Sequence, residues 1–153
     1  MLSIALVEPE IAQNTGSIAR LCAATGMQLH LVGRLGFTLD AASLRRAGLD
    51  YWNDVCVGVH RDFESFVEHV ASRPLYLYSA RGTAIYTQAK HGQDDVLVFG
   101  SESVGLAPRI IDAYPDRTLR LPVRAGVRSL NLAAVVHVAA YHALAQLGFP
   151  GVE

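Results

Sequence analysis

The chain has few of the residues that would fit it for an oxidising compartment or a membrane. Its 153 residues include two cysteines, one tryptophan and a single lysine. Cys22 and Cys56 stand among apolar neighbours, so we expect two buried free thiols rather than a disulfide or a metal site. No apolar run reaches the ~18 residues of a membrane span, and the N-terminus does not resemble a signal peptide. These absences favour one cytoplasmic domain over residues 1–153.

Charge is nearly balanced overall but unevenly distributed. The formal net charge is −1, yet five arginines lie between residues 109 and 128 and four between residues 20 and 46. The acidic residues gather instead at 50–68 and 94–102. Two basic faces on a neutral protein suit a polyanion such as nucleic acid. The alternative is an ordinary solvated surface in a chain that uses arginine in place of lysine.

Apolar runs alternate with helical patterns along the chain. The apolar runs predict strands over 3–7, 29–32, 55–59, 74–78, 95–99 and 118–121. The helical patterns predict helices from Asn14 to Gly26, from Asp40 to Ala47, after Asp62, over 108–113 and over 129–147. Continuous apolar strands between helices are typical of an α/β fold, a mostly parallel sheet with helices on both faces.

The last predicted helix is apolar nearly all round. A helix at the end of a small domain exposes one side by default, so an apolar stripe on every side indicates burial against a partner. We therefore expect a homodimer. His137 and His142 interrupt the stripe, and we expect them to be core or interface residues rather than metal ligands.

Three short polar segments interrupt this apolar chain. Asn14–Arg20 opens the first helix, with Asn14 as its expected N-cap. Gly100–Gly105 follows a buried strand, where ligands usually bind in an open α/β sheet, and Arg128–Asn131 opens the last helix. We expect the three segments to converge on one site. Taken singly, they have plainer explanations: a capped surface helix for the first and a simple strand-to-helix turn for the second.

Several common sites are excluded by what these segments lack. Gly100 and Gly105 have the glycine spacing of a phosphate-binding P-loop, but Leu106 and Ala107 follow where Lys and Ser or Thr are required. No G-x-G-x-x-G follows any strand, which argues against a dinucleotide site. No Ser-His-Asp triad or pair of catalytic carboxylates can be assembled. We therefore expect neither a nucleoside triphosphate nor a metal.

Together the three segments resemble the motifs of the SPOUT methyltransferases. The resemblance is to the TrmH-like branch, whose members methylate ribose 2′-hydroxyls in RNA. It rests on Asn-Thr-Gly-Ser-Ile-Ala-Arg ending at Arg20, on Gly-Ser-Glu-Ser-Val-Gly beginning at Gly100, and on Arg-Ser-Leu-Asn-Leu beginning at Arg128. Further matches, including Glu-Pro-Glu-Ile from Glu8 and Leu-Arg-Arg-Ala-Gly-Leu-Asp-Tyr from Leu44, extend it over nearly the whole chain.

The resemblance implies a fold, a cofactor and a substrate. It implies a C-terminal trefoil knot, S-adenosylmethionine as methyl donor, and the anticodon stem-loop of tRNA as substrate. The methylated group would be the ribose of wobble nucleotide 34, a cytidine or modified uridine. Two alternatives stay open, namely methylation of another tRNA or rRNA position and a non-catalytic RNA-binding protein that keeps the knot.

The resemblance also implies roles for individual residues. Arg20, expected to act from the partner subunit, would stabilise the developing alkoxide, with Asn131 and Ser129 completing the catalytic set. Val104 departs from the branch, which has arginine there. The cofactor would be held by Tyr78, Ser79, Gly100, Glu102, Gly105, Leu121, Ser129 and Leu130. The RNA would be met by Asn14, Arg45, Arg46, Arg124, Arg128 and Tyr141.

Overall fold

The computed structural model describes residues 1–39 and 52–153. The predicted helix from Asp40 to Ala47 lies outside the described residues. The strands are β1 Ser3–Val7, β2 Gln28–Val32, β3 Val57–His60, β4 Leu75–Tyr78, β5 Ala84–Ile85, β6 Val96–Phe99 and β7 Thr118–Arg120. The α-helices are α1 Ala12–Thr25, α2 Phe63–Val70, α3 Pro108–Ala113 and α4 Leu132–Gln146.

The strands form one sheet in the order β3-β2-β1-β6-β4-β7-β5, and every described ladder is parallel. β1 lies near the middle, where Ser3 is in register with Gln28 of β2 and Val96 of β6. All five β1 residues are buried, as a strand covered on both faces requires. The predicted α/β fold with a parallel sheet is confirmed. β5, only two residues long, was not predicted.

The sheet carries a separate apolar core on each face. Alternate residues of β2 show the division, because Leu29 and Leu31 pack with α1 and α4. Val32 instead packs with α2 and α3 on the other face. Side chains on a strand alternate between faces, so a continuous apolar run supplies both cores at once. Helices on both faces were predicted, and this is confirmed.

The helix ends depart from expectation at the two polar segments. α1 begins at Ala12 with Ile11 as its N-cap, so the prediction that Asn14 is the cap is wrong. α4 begins at Leu132 with Asn131 as its N-cap, three residues later than predicted. The other signals were correct. Gly26 ends α1 in the left-handed conformation at φ 70°, and the Asp62 side chain caps α2.

The two cysteines differ in environment. Cys22, on α1, is buried in the core that α1 shares with α4, and burial raises the pKa of its thiol to about 12. Cys56 is exposed, so the prediction of two buried thiols is wrong for this residue. It directly precedes β3, the edge strand of the described sheet, where only one side is covered. Both are free thiols, as predicted.

α4 is buried on one side of this chain and open on the other. Val136, Ala139 and Ala140 are fully buried against the sheet. Val138 and Tyr141, on the opposite side, are 42% and 46% exposed. The apolar outer side of α4 is therefore uncovered within a single chain.

None of the helices in the described part of the chain has the length and apolar character of a membrane span.

Candidate functional site

A cavity of about 690 Å³ opens at the carboxyl ends of β4, β6 and β7. Three loops wall it, over 78–81, 99–106 and 120–132, and the start of α1 closes one side. Parallel strands bring their carboxyl ends to one edge of a sheet, so loops far apart in sequence meet there. The volume lies within the range of small-molecule sites, roughly 300–1,000 Å³.

All three polar segments of the sequence reach this cavity. Among the predicted site residues, those that line it are Asn14, Tyr78, Ser79, Gly100, Glu102, Gly105, Leu121, Arg128, Ser129, Leu130 and Asn131. The prediction that the segments converge is confirmed. Arg20, Arg124 and Tyr141 do not line the cavity of their own chain, and Arg45 and Arg46 lie outside the described residues.

A carboxylate joins the loop after β6 to the start of α1. Glu102 accepts the backbone N–H of Glu10 at 2.8 Å and that of Ile11 at 3.1 Å. In return Glu10 accepts the backbone N–H of Ser103 at 3.0 Å and its hydroxyl at 2.6 Å. The sequence suggested Glu102 as an acceptor for a ligand. The structure instead directs both of its oxygens to the protein, where they neutralise the positive end of α1.

We call the hydrogen bonds between Glu102 and the start of α1 the clasp, and two asparagines extend it to α4. Asn14 donates from Nδ2 to Glu102 Oε1 at 3.0 Å, and its Oδ1 accepts from Asn131 Nδ2 at 3.0 Å. Asn131 Oδ1 in turn accepts the backbone N–H of Ala134 at 3.2 Å. Asn14 was expected to contact RNA, but its side chain is buried and its amide hydrogen-bonds to Glu102 and Asn131 within the protein. A continuous chain of hydrogen bonds thus connects the three polar segments through Glu102, Asn14 and Asn131.

The chemistry of Glu102 fixes the direction of that chain. A carboxylate only accepts, so Asn14 must present its NH₂ to Glu102 and its carbonyl to Asn131. Asn131 must then donate its own NH₂, which leaves its carbonyl free to cap α4. Each amide therefore has one orientation that satisfies every partner. An aspartate at position 14 could not supply the first donor at neutral pH.

Gly100 is required by the protein backbone rather than by a ligand. A Cβ at this position would lie 2.0 Å from the carbonyl carbon of Gly105 and 2.2 Å from the nitrogen of Leu106. The loop closes tightly through the backbone bond from Gly105 N–H to the carbonyl of Ser101, at 3.0 Å. Gly105 takes φ 70°, which favours glycine. Close packing within the loop therefore accounts for glycine at position 100, and the expected approach of a ligand to its backbone stays a prediction.

The deep wall of the cavity is aromatic and neutral. Tyr78 and Phe99 stack with ring centroids 4.8 Å apart, at an interplanar angle of 19°. The Tyr78 hydroxyl lies 3.4 Å from His91 Nε2, and burial raises the pKa of this phenol. Tyr78 is therefore part of the wall and keeps its proton at neutral pH.

Arginines surround the mouth of the cavity. Arg81, Arg120 and Arg128 line it, whereas Glu102 is the single carboxylate among its described lining residues. Sequence reasoning missed Arg81 and Arg120 as site residues. Ser79 was predicted as a site residue, and Arg81 lies two residues after it in the same loop. Extending the predicted site along this loop would have included Arg81. Because Glu102 is engaged by α1, the rim is left positively charged and suits a phosphate-bearing partner.

The cavity has the character of a nucleoside site. Its walls are apolar at Leu106, Leu121, Leu130, Leu132 and Val135. Besides the arginines of the rim and the hydrogen-bonded Glu102, Asn14 and Asn131, its polar groups come from loop backbone and serines. Few polar groups on apolar walls suit an adenine and ribose, which need shape and a small number of directed hydrogen bonds. The residues present thus fit S-adenosylmethionine.

Comparison with known proteins agrees with a methyltransferase site. The SpoU rRNA Methylase family matches residues 1–141. A tRNA (cytidine(34)-2′-O)-methyltransferase of Burkholderia pseudomallei is 46% identical over 154 residues, covering 99% of each chain. A solved structure described by the words "Structural insights into the 2-OH methylation of C/U34 on tRNA" matches with a TM-score of 0.91 and 45% identity, covering 97% of each chain.

A more distant solved structure shares the fold. It is the SpoU methyltransferase AviRb from Streptomyces viridochromogenes, in complex with the cofactor AdoMet. The TM-score is 0.82 at 22% identity, and the match covers 96% of this chain and 60% of the other. At this identity the likeness concerns the fold alone.

The hydrogen-bond chain predicts a specific response to Asn14→Asp. The new carboxylate would face Glu102 where a donor is needed, and we expect a loss of about 1–3 kcal/mol in the free energy of unfolding at pH 7. Repulsion raises the pKa of the new carboxyl in the folded state above its unfolded value. The folded state then binds more protons, so part of the loss should return by about pH 5.

Urea unfolding monitored by circular dichroism at both pH values measures this effect. Gln13→Glu is the matched control, because it makes the same change of charge at an exposed neighbouring position. Equal stability of the two variants at pH 7 would contradict the assigned role of Asn14.

Proposed function

This chain belongs to the SpoU methylase family, and we propose that it methylates the ribose 2′-hydroxyl of nucleotide 34 in tRNA. The full-length similarity to a tRNA (cytidine(34)-2′-O)-methyltransferase is the observation that carries this proposal. The positively charged rim of the cavity supports an RNA substrate. A tRNA substrate also favours a cytoplasmic location.

The cofactor is S-adenosylmethionine, which supplies a methyl group on a positively charged sulfur. We propose that the loops after β4, β6 and β7 hold it through Ser79, Gly100, Leu121, Ser129 and Leu130, all of which line the cavity. The trefoil knot implied by the family resemblance is part of this proposal. It is supported by the meeting of the 100–106 and 120–132 loops in one wall.

The hydrogen-bond chain acts as a positioning device for this site. Glu102, Asn14 and Asn131 fix α1 and the first turn of α4 against the loop after β6. Holding the loops rigid holds the bound ligands in line, and alignment supplies a large share of the rate in a displacement reaction. Asn131, expected to be catalytic, is on this view a positioning residue.

Arg20 is the proposed catalytic residue. It lies on the exposed side of α1, and it does not line the cavity of its own chain, so we place it at the cavity of a partner subunit. A guanidinium stays protonated in proteins and cannot take the hydroxyl proton. Its charge can instead stabilise the developing alkoxide and grip the adjacent phosphate. Arg124 and Arg128, on the exposed loop before α4, would take further phosphates.

The proton of the 2′-hydroxyl is released to water in this proposal. The oxygen gains a bond to the methyl carbon as the carbon–sulfur bond breaks, and the oxygen loses its proton. Glu102 is the single carboxylate among the described residues of the cavity wall, and both its oxygens already accept N–H donors. No histidine is among those wall residues. The rate enhancement therefore rests on alignment and on positive charge.

The outer side of α4 supports the proposed homodimer. Val138, Tyr141 and Phe149 are each more than a third exposed, and the ring centroids of Tyr141 and Phe149 lie 6.3 Å apart in one apolar surface. A partner that covered this surface would bury the apolar area and could bring its own Arg20 to the cavity. Tyr141, expected to meet tRNA, lies on this same surface. A single chain would then have an incomplete site.

The function is tested with purified protein, labelled S-adenosylmethionine and synthetic anticodon stem-loops. We expect one methyl group per RNA carrying cytidine 34, mapped to that ribose. The matched control is the same RNA with 2′-deoxycytidine at that position, which lacks the accepting hydroxyl and should take no label. Methylation of the deoxy control would move the reaction to another position of the RNA.

Arg20→Ala should lower the rate of methyl transfer by about 100-fold or more, the scale of losing one group that stabilises an oxyanion. Binding of S-adenosylmethionine, measured by calorimetry, should stay within about threefold of the parent, less than 1 kcal/mol. Arg117→Ala is the control, since this exposed arginine lies at the opposite end of β7 from the cavity. A rate for Arg20→Ala within threefold of the control would remove Arg20 from catalysis.

Val138→Glu should split the dimer without unfolding the chain. A charge on the exposed apolar side of α4 would have to be buried unpaired in the interface, which is costly. A charge at Ala139 would not test the dimer, because this residue is fully buried in its own chain and the substitution would unfold it. Light scattering should give the mass of a monomer, and the circular dichroism spectrum should stay native. The variant should show no methyl transfer. Ala113→Glu, at the exposed end of α3, is the control and should remain an active dimer.

A further inference from the structure

Three histidines meet at the edge of the sheet away from the cavity. They are His30 of β2, His60 of β3 and His69 in the last turn of α2. One ring nitrogen from each lies within 4.8 Å of the others. The ring centroids of the three pairs are 4.9–5.8 Å apart. β1 separates these strands from β6, and none of the three histidines lines the cavity, so this cluster is distinct from it.

Strand register builds the cluster. His30 pairs with Gly58, and His60 follows two residues later on the same face of β3. His30 Nδ1 and His60 Nε2 are thereby 3.0 Å apart. A Cβ at Gly58 would lie 3.1 Å from each of these two nitrogens. Glycine leaves open the space beside the nitrogens that any other residue would crowd.

The cluster contains a polar atom that the protein does not satisfy. His30 is fully buried, and its Nε2 has no hydrogen-bond partner among the described residues. Buried polar atoms are nearly always paired, so this one requires an explanation. Packing alone would be served better by an apolar side chain. An imidazole therefore stands here at an energetic cost, with its other ring nitrogen, Nδ1, facing His60.

We propose that His30, His60 and His69 bind a zinc ion. Three imidazole nitrogens with a fourth position open to solvent form a common zinc geometry. With zinc–nitrogen bonds of about 2.0–2.1 Å, ligand nitrogens lie roughly 3.4 Å apart, so small rotations of His69 complete the set. Neutral imidazole selects zinc and its neighbours over magnesium or calcium, which prefer oxygen ligands. His69 is exposed and provides the route of entry.

The ion would tie the end of α2 to the edge of the sheet. His60 and His69 stand at the two ends of the connection from β3 through α2, and His30 comes from the neighbouring strand. A bond to all three ligands stabilises the folded chain, because the unfolded chain does not hold them together. The zinc therefore acts on stability and has no part in the methyl transfer proposed above.

The test is zinc binding by the full chain after chelation and desalting, measured by competition with a chromophoric chelator. We expect one zinc per parent chain. His69→Gln removes an exposed ligand with little risk to folding and should weaken binding at least about tenfold. His142→Gln, the matched loss of a histidine outside the cluster, should bind as the parent does. Zinc should also raise the melting temperature of the parent and of His142→Gln, but not of His69→Gln.

Cobalt substitution reports the geometry independently. The parent should give the visible absorption of a four-coordinate cobalt site, and His69→Gln should lose it. The proposal is overturned if the parent binds no zinc, or if His69→Gln binds zinc as tightly as His142→Gln does. Either result leaves the proposed methyltransferase function unaffected, since the cluster lies outside the cavity.

Discussion

The clasp around Glu102 is the interaction on which the arrangement of the site depends. One carboxylate receives two backbone N–H groups at the start of α1 and the amide of Asn14, and the chain continues to Asn131. Charge-assisted bonds of this kind are stronger than bonds between neutral groups. Asn14, at the centre of these bonds, is buried, so loss of either partner would leave part of its amide unpaired at a desolvation cost. The clasp therefore holds the loop after β6, the start of α1 and the start of α4 together in one wall.

The same clasp shows how far sequence reasoning could go. Local patterns gave the apolar strands, the stop at Gly26 and the cap at Asp62, because each signal lies within a few residues of its effect. The same kind of local signal predicts Asn14 as a helix cap, which is wrong. Its actual partner, Glu102, is 88 residues away, and no local spacing could identify it. Glu102 and Gly100 were correctly placed at the site. The ligand role expected of Glu102 is wrong, because both of its oxygens accept N–H donors of the protein, whereas the expected contact of Gly100 with the cofactor stays a prediction.

Other departures have equally physical causes. Cys56 has apolar sequence neighbours, yet it precedes an edge strand, and edge position is set by the order of strands in space. β5 has two residues and pairs only with β7, so it leaves no periodicity in the sequence. Arg81 and Arg120 belong to the site because β4 and β7 are adjacent, which follows from the sheet topology alone.

The distribution of charge around the cavity is consistent with the proposal that the chain acts as a dimer. In the part of the chain that the structure describes, the wall supplies arginines at the rim and a single carboxylate that is already engaged, so these residues contribute shape and positive charge rather than a base. A reaction that relies on alignment needs both reactants held on firm elements. The clasp fixes the loops proposed to hold the cofactor, whereas Arg20 projects from the exposed side of α1, beyond its own cavity. Association through the apolar side of α4 is the economical way to bring these two halves of one site together.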